Sequence, residues 1–83
     1  MVVRERDRLV CHCERRALRH YPSQTNFVTI HFGERTPAVI DALAQRGIAV
    51  RDGEALGIPG WIRVSIGPPA QMAVVRQVLD RLP

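Results

Sequence analysis

Gly57-Ile58-Pro59-Gly60-Trp61-Ile62-Arg63-Val64-Ser65-Ile66-Gly67 is the stretch that decides the fold. A turn rich in glycine and proline feeds a short strand. Side chains alternate across a strand, so Ile62, Val64 and Ile66 share one face while Trp61, Arg63 and Ser65 share the other. The first face reads as core. The second presents a guanidinium, whose planar fork matches a carboxylate or a phosphate. Arg63 is therefore a candidate anion-binding residue, set against the alternative of a solvated surface arginine.

Working outward, Ile48 to Arg51 reads as a short strand with Ile48 and Val50 inward and Arg51 on the opposite face, followed by a glycine-rich loop over 52–60. Thr36-Pro37 reads as a helix start, with Thr36 as N-cap and Pro37 at the first helical position. Val39, Ile40, Leu43 and Ala44 form its apolar stripe, and Gly47 falls where a left-handed C-terminal cap belongs. Phe27 to Phe32 reads as a strand with Val28, Ile30 and Phe32 on one face and Phe27, Thr29 and His31 on the other. Gly67-Pro68-Pro69 opens a last helix whose face is Met72, Val75, Leu79 and Leu82. Residues 2–18 read as helix, with Leu9, Cys13 and Ala17 at i, i+4, i+8 flanked by Val10 and Leu18. Pro22 and Ser23 read as breakers.

The expected order is α-β-α-β-β-α, an α/β two-layer sandwich of three strands backed by helices. Val28, Ile30, Ile48, Val50, Val64 and Ile66 are expected to pack against the two later helices. The opposite face, with Thr29, Arg51, Arg63 and Ser65, is too polar for a core. One domain over 1–83 is expected, with an N-terminal helical part (1–20) and a core (21–83). The first helix is expected at an edge of the sheet, or resting on a missing neighbour.

The 83 residues carry a net charge of +4, and all 12 basic residues are arginine, with no lysine. The arginines are interleaved with acids, as in Arg4-Glu5-Arg6-Asp7-Arg8, which reads as a salt-bridged solvated face rather than a nucleic-acid surface. No apolar run approaches the roughly 20 residues of a membrane span, and the N-terminus carries no signal-like segment. A cytoplasmic location, with neither nucleic acid nor membrane as partner, is the expectation.

Arg51 and Arg63 fall on neighbouring strands, both turned away from the helices. Two converging guanidiniums suit a dianion or a carboxylate; surface pairing of Arg51 with Asp52 or Glu54 is the other reading. Asn26 is either part of a pocket edge or a turn residue bonded to local backbone, and Tyr21 is expected to pack. Cys11-His12-Cys13 with His20 raises zinc, but on a helix residues 11 and 13 point about 200° apart and structural sites favour a wider cysteine spacing. A Cys11–Cys13 disulfide is geometrically poor there. Reduced cysteines and no metal are the expectation, and His31 reads as an ordinary hydrogen-bonded histidine.

Tyr-Pro-Ser-Gln-Thr-Asn-Phe-Val (21–28), Gly-Ile-Ala-Val-Arg-Asp-Gly (47–53) and Pro-Gly-Trp-Ile-Arg-Val-Ser-Ile-Gly (59–67) occur in this order. The set resembles the C-terminal small domain of fold-type I, pyridoxal-phosphate-dependent aminotransferases, most of all the histidinol-phosphate aminotransferase branch, from about Tyr21 to Leu82. The resemblance implies that Arg63 anchors the substrate carboxylate and meets the phosphate of the other substrate, that Arg51 assists with that phosphate, and that Asn26 helps shape the pocket edge. It also implies pyridoxal phosphate in the complete enzyme, a small amino-acid or phosphorylated substrate, a missing large cofactor-binding domain, a homodimer, and a place in histidine biosynthesis. The family holds its cofactor on a lysine. Without one, this chain is expected to be inactive alone and to carry no cofactor or catalytic residue.

Three segments depart from that pattern: 10–20 is more polar than the apolar helix expected there, the turn before Tyr21 lacks the usual glycine or proline, and Pro68-Pro69-Ala70-Gln71-Met72 replaces the usual Thr-Pro-Glu-Glu-Asn. The alternative is a non-catalytic, stand-alone α/β module that binds a small anion or a protein partner.

Overall fold

The computed structural model describes residues 2–24 and 26–82, with side-chain environments for 4–20 and 26–82. In chain order the elements are α1 (Val2–Arg15), β1 (His20–Gln24), β2 (Phe27–His31), α2 (Thr36–Gln45), β3 (Arg51–Asp52), β4 (Trp61–Ser65) and α3 (Pro69–Asp80). Short 3₁₀ turns, Gly33–Arg35 and Gly53–Leu56, precede α2 and β4. The fold is mixed α/β around a small sheet of order β1-β2-β4-β3, with every neighbouring pair antiparallel.

The element order is therefore α-β-β-α-β-β-α, not the expected α-β-α-β-β-α. The added strand is β1, which holds the residues read as breakers. It sits at the sheet edge, where a proline lacking its N–H is tolerated. Its register with β2 shifts between Tyr21 and Gln24, the interval that contains Pro22 and Ser23. The Tyr21 side chain, expected to pack, lies outside the described side chains.

The strand expected over Ile48 to Arg51 shrinks to Arg51–Asp52. Ile48 is committed elsewhere, since its N–H donates to the Leu43 carbonyl at 2.9 Å and that of Gly47 to Ala44 at 3.0 Å. These two bonds form a Schellman closure of α2 around Gly47, whose φ is 80°. At the other end of α2 the N-cap is Arg35 rather than Thr36. The Thr36 hydroxyl donates to the Gly33 carbonyl at 2.7 Å, tying the helix to the preceding turn.

Val28, Ile30, Ile62 and Val64 supply the buried sheet face. Leu9 and Cys13 of α1, Val39 and Leu43 of α2, and Met72, Val75, Val78 and Leu79 of α3 join them in a single core. Val50, Ile66 and Leu82 pack at its margin. The first helix lies on the β1 side of the sheet, over the edge strand β1 and its neighbour β2 and against α3, with Leu9 and Cys13 both fully buried in the core. Its apolar stripe stops one turn earlier than the spacing predicts. Ala17 is exposed, beyond the helix end, at a φ of 57°.

Polar side-chain contacts hold α1 to α3. Glu5, 2% exposed, lies 3.2 Å from Arg8 and 3.6 Å from Arg76. His12 Nε2 lies 2.9 Å from the Asp80 carboxylate, and Arg16 reaches the same group at 3.8 Å. Arg16 also donates to the carbonyls of Leu79 and Asp80 at the end of α3, where the helix dipole favours a cation. Among the described residues no helix is long and apolar enough to cross a membrane.

Candidate anion-binding site

The polar sheet face is assembled by register. Thr29 stands opposite Arg63, His31 opposite Trp61, and Phe27 opposite Ser65 across β2 and β4. On the other side of β4, Arg51 stands directly opposite Arg63. Residues directly opposite one another share a face, with Cβ atoms about 4.5–5.5 Å apart. The pairing therefore brings together the two arginines singled out from the sequence.

Like charges facing each other across a ladder are destabilising by a few tenths to about 1 kcal/mol. Among the described residues no carboxylate forms an ion pair with Arg51 or with Arg63. The expected alternative, Arg51 bound to Asp52 or Glu54, is not what these carboxylates do. The Asp52 carboxylate instead accepts the N–H of Glu54 at 3.0 Å and caps the 3₁₀ turn. Two guanidiniums thus share one patch without a paired carboxylate among the described residues.

Arg63 is half-buried and Arg51 exposed. The Arg63 guanidinium carbon lies 4.6 Å from the centre of the Phe27 ring, a cation–π contact that rests the cation on an aromatic floor. Phe27 was not singled out from the sequence. Its part appears only once β2 and β4 are paired in register, which makes it the diagonal neighbour of Arg63. At the far end of β4, Trp61 packs edge-on against His31 with centroids 4.9 Å apart, and the Arg19 guanidinium carbon lies 5.7 Å from the Trp61 ring. Asn26 immediately precedes Phe27 in the chain. Its side chain is exposed, and its carbonyl accepts the Ile66 N–H at 2.7 Å.

Gly53 positions the pair. It is buried, and a Cβ there would collide with the backbone carbonyls of Ile58 and Trp61. Only glycine lets the chain turn this close behind β4 and keep β3 in register.

The cysteine–histidine segment disperses. Cys11 is exposed and Cys13 buried, both as free thiols, and burial together with the Glu14 carboxylate pushes the Cys13 thiol up to about 12. His12 faces Asp80, while His20 Nδ1 lies 2.9 Å from the Leu18 carbonyl. Among the described residues no three potential metal ligands gather.

The chain belongs to the family Aminotransferase class I and II, which it matches over residues 2–82. It is 45% identical over 78 residues to a histidinol-phosphate aminotransferase of Geobacillus thermodenitrificans, covering 94% of this chain and 21% of that protein. A second histidinol-phosphate aminotransferase, from Geobacillus sp. WCH70, is 48% identical over 70 residues, covering 84% of this chain and 19% of the relative. A solved Burkholderia pseudomallei chain described as a candidate aminotransferase superimposes with a TM-score of 0.84 at 26% identity, over 94% of this chain and 24% of its own. The chain thus spans about a fifth of the length of the curated relatives it matches.

Proposed function

We propose that this chain is the substrate-anchoring small domain of a histidinol-phosphate aminotransferase, with Arg63 as principal anion anchor and Arg51 as its helper. The observation that carries the reading is the direct Arg51–Arg63 pairing on a sheet face where neither has a carboxylate partner among the described residues. One pocket then has to accept the carboxylate of an amino-acid donor and, in turn, the phosphate of the second substrate. A guanidinium fork binds both kinds of oxyanion. Arg63 lies on a central strand against Phe27 and supplies a fixed fork. Arg51, exposed at the edge, supplies the second positive charge that a dianion rewards.

The residues present do not fit covalent attachment of pyridoxal phosphate. The sequence has no lysine, and the polar face offers guanidinium, imidazole, hydroxyl and aromatic groups. Cofactor attachment and proton transfer therefore belong to a part of the enzyme outside these residues, and this part contributes substrate binding and orientation.

The test grafts residues 1–83 into the Geobacillus thermodenitrificans relative in place of its matching segment and compares kcat/KM for glutamate and histidinol phosphate. Arg63→Ala is expected to lower both by roughly 30- to 1000-fold, the equivalent of losing a charged partner worth about 2–4 kcal/mol. Arg51→Ala is expected to affect the phosphorylated substrate more. Arg63→Lys is expected to restore little, since an ammonium lacks the two-pronged geometry. Near-unchanged values for Arg63→Ala in an active graft overturn the proposal.

A further inference from the structure

Beyond that reading, and away from the sheet face, α1 turns a second basic surface outward. Arg4, Arg8, Cys11 and Arg15 recur at i, i+4, i+7 and i+11, which places them on one stripe of the helix. Together with Asp7 and with Arg76 of α3, they line an open groove of about 670 Å³. Its charges are unevenly matched. Arg8 and Arg76 are held by Glu5 at 3.2 and 3.6 Å, and Asp7 is taken by Arg6 at 3.2 Å. Arg4 and Arg15, both exposed, form no ion pair among the described residues. The groove therefore has an uncompensated guanidinium at each end.

We propose that this groove docks an extended acidic peptide segment of a partner protein. Arg4 and Arg15 are eleven helical steps apart, about 16 Å along the axis at 1.5 Å per residue. Two cations so far apart do not converge on one small dianion. They match a chain that carries negative charge along its length, and about five extended residues cover the distance at roughly 3.3 Å each. Single-stranded nucleic acid would also repeat its charge, but it draws much of its affinity from aromatic platforms for its bases. The groove lining contains no aromatic side chain. A second copy of the chain is disfavoured by the shared net charge of +4.

The test uses the 83-residue chain and a fluorescein-labelled octapeptide with glutamate at alternate positions, followed by anisotropy at low salt. Saturable binding is expected, weakening as salt rises and lost when glutamine replaces glutamate in the peptide. Arg4→Glu with Arg15→Glu is expected to weaken binding at least tenfold. The charge-matched control, Arg46→Glu with Arg81→Glu on the opposite helix pair, is expected to change it less than threefold. Arg4→Gln with Arg15→Gln gives an intermediate loss and serves where the reversed pair does not fold. Equal losses in the two reversed pairs, no saturable binding, or tighter binding of an octamer of deoxythymidylate than of the peptide overturns the proposal. None of these variants touches Arg51 or Arg63, so the result is separable from that of the graft.

Discussion

Exchanging the residues that close α1 and α2 tests how the helix ends are made. Both end in the same motif. At α1 the Leu18 N–H donates to the Cys13 carbonyl at 2.9 Å and that of Ala17 to Glu14 at 3.2 Å; at α2 the matching bonds run from Ile48 to Leu43 and from Gly47 to Ala44. The left-handed residue is Ala17 in one, at φ 57°, and Gly47 in the other, at φ 80°. An L-residue in that conformation costs about 1–2 kcal/mol, while glycine is offset by about 0.4–1 kcal/mol through its freer unfolded chain. Ala17→Gly is therefore expected to stabilise by about 0.5–1 kcal/mol. With an unfolding entropy of roughly 2.1 cal/mol/K per residue over a chain of this length, that raises Tm by about 3–6 °C. Gly47→Ala is the mirror experiment. No atom lies within 4 Å of the added Cβ, so its effect is purely conformational and is expected to lower Tm by a similar amount. Circular-dichroism melts and urea midpoints with an unchanged m-value read both variants. A neutral or destabilising Ala17→Gly beside a destabilising Gly47→Ala refutes the account of the α1 terminus.

Two further outcomes follow from the packing. Gly53→Ala drives a Cβ against the Ile58 and Trp61 carbonyls and is expected to destabilise by about 1–3 kcal/mol, with faster amide exchange across β3 and β4; unchanged exchange there would show that β3 does not depend on Gly53. Cys13, with a folded-state thiol pushed from 9.0 to about 12, favours folding fully below pH 9 and loses that contribution as pH rises towards 12. The loss is at most about 1.4 kcal/mol per pH unit. Cys13→Ala should therefore flatten the alkaline decline of the urea midpoint, and a thiol reagent should label Cys11 at once but Cys13 only in denaturant. Equal labelling of the two in native buffer would contradict the burial of Cys13.

The central part of the fold was legible because periodicity and burial agree there. Val28 and Ile30, Ile62 and Val64, and Met72, Val75 and Leu79 each repeat at the period of their element and each is buried. The misreadings lie where local chemistry and tertiary position diverge. Pro22 and Ser23 break regular structure in isolation, yet at an edge strand with an irregular register they are accommodated. Ile48 has a strand former's side chain, but its N–H is spent closing α2. Ala17 continues the apolar spacing of α1 and yet lies past its end. In the candidate site, alternation placed Arg51 and Arg63 on one sheet face, while their anion-binding role was implied only by the family resemblance. The part of Phe27 was not legible, because its relation to Arg63 is set by the pairing of strands 34 residues apart in sequence, and no local pattern reports register.

The sheet order gives the two arginines different mechanical standing. β4 is hydrogen-bonded on both sides, to β2 and to β3, whereas β3 has two residues and a single neighbour. Backbone amides around Arg63 should accordingly exchange with solvent slowly, by global unfolding, and those around Arg51 quickly, by local opening. One side of the patch acts as a fixed jaw and the other as a compliant one. The gap between them can adjust at small energetic cost, while the orientation of the fixed guanidinium stays the same. On the function proposed above, ligand groups of different size, such as a planar carboxylate and a tetrahedral phosphate, would then be held in turn without disturbing the core beneath.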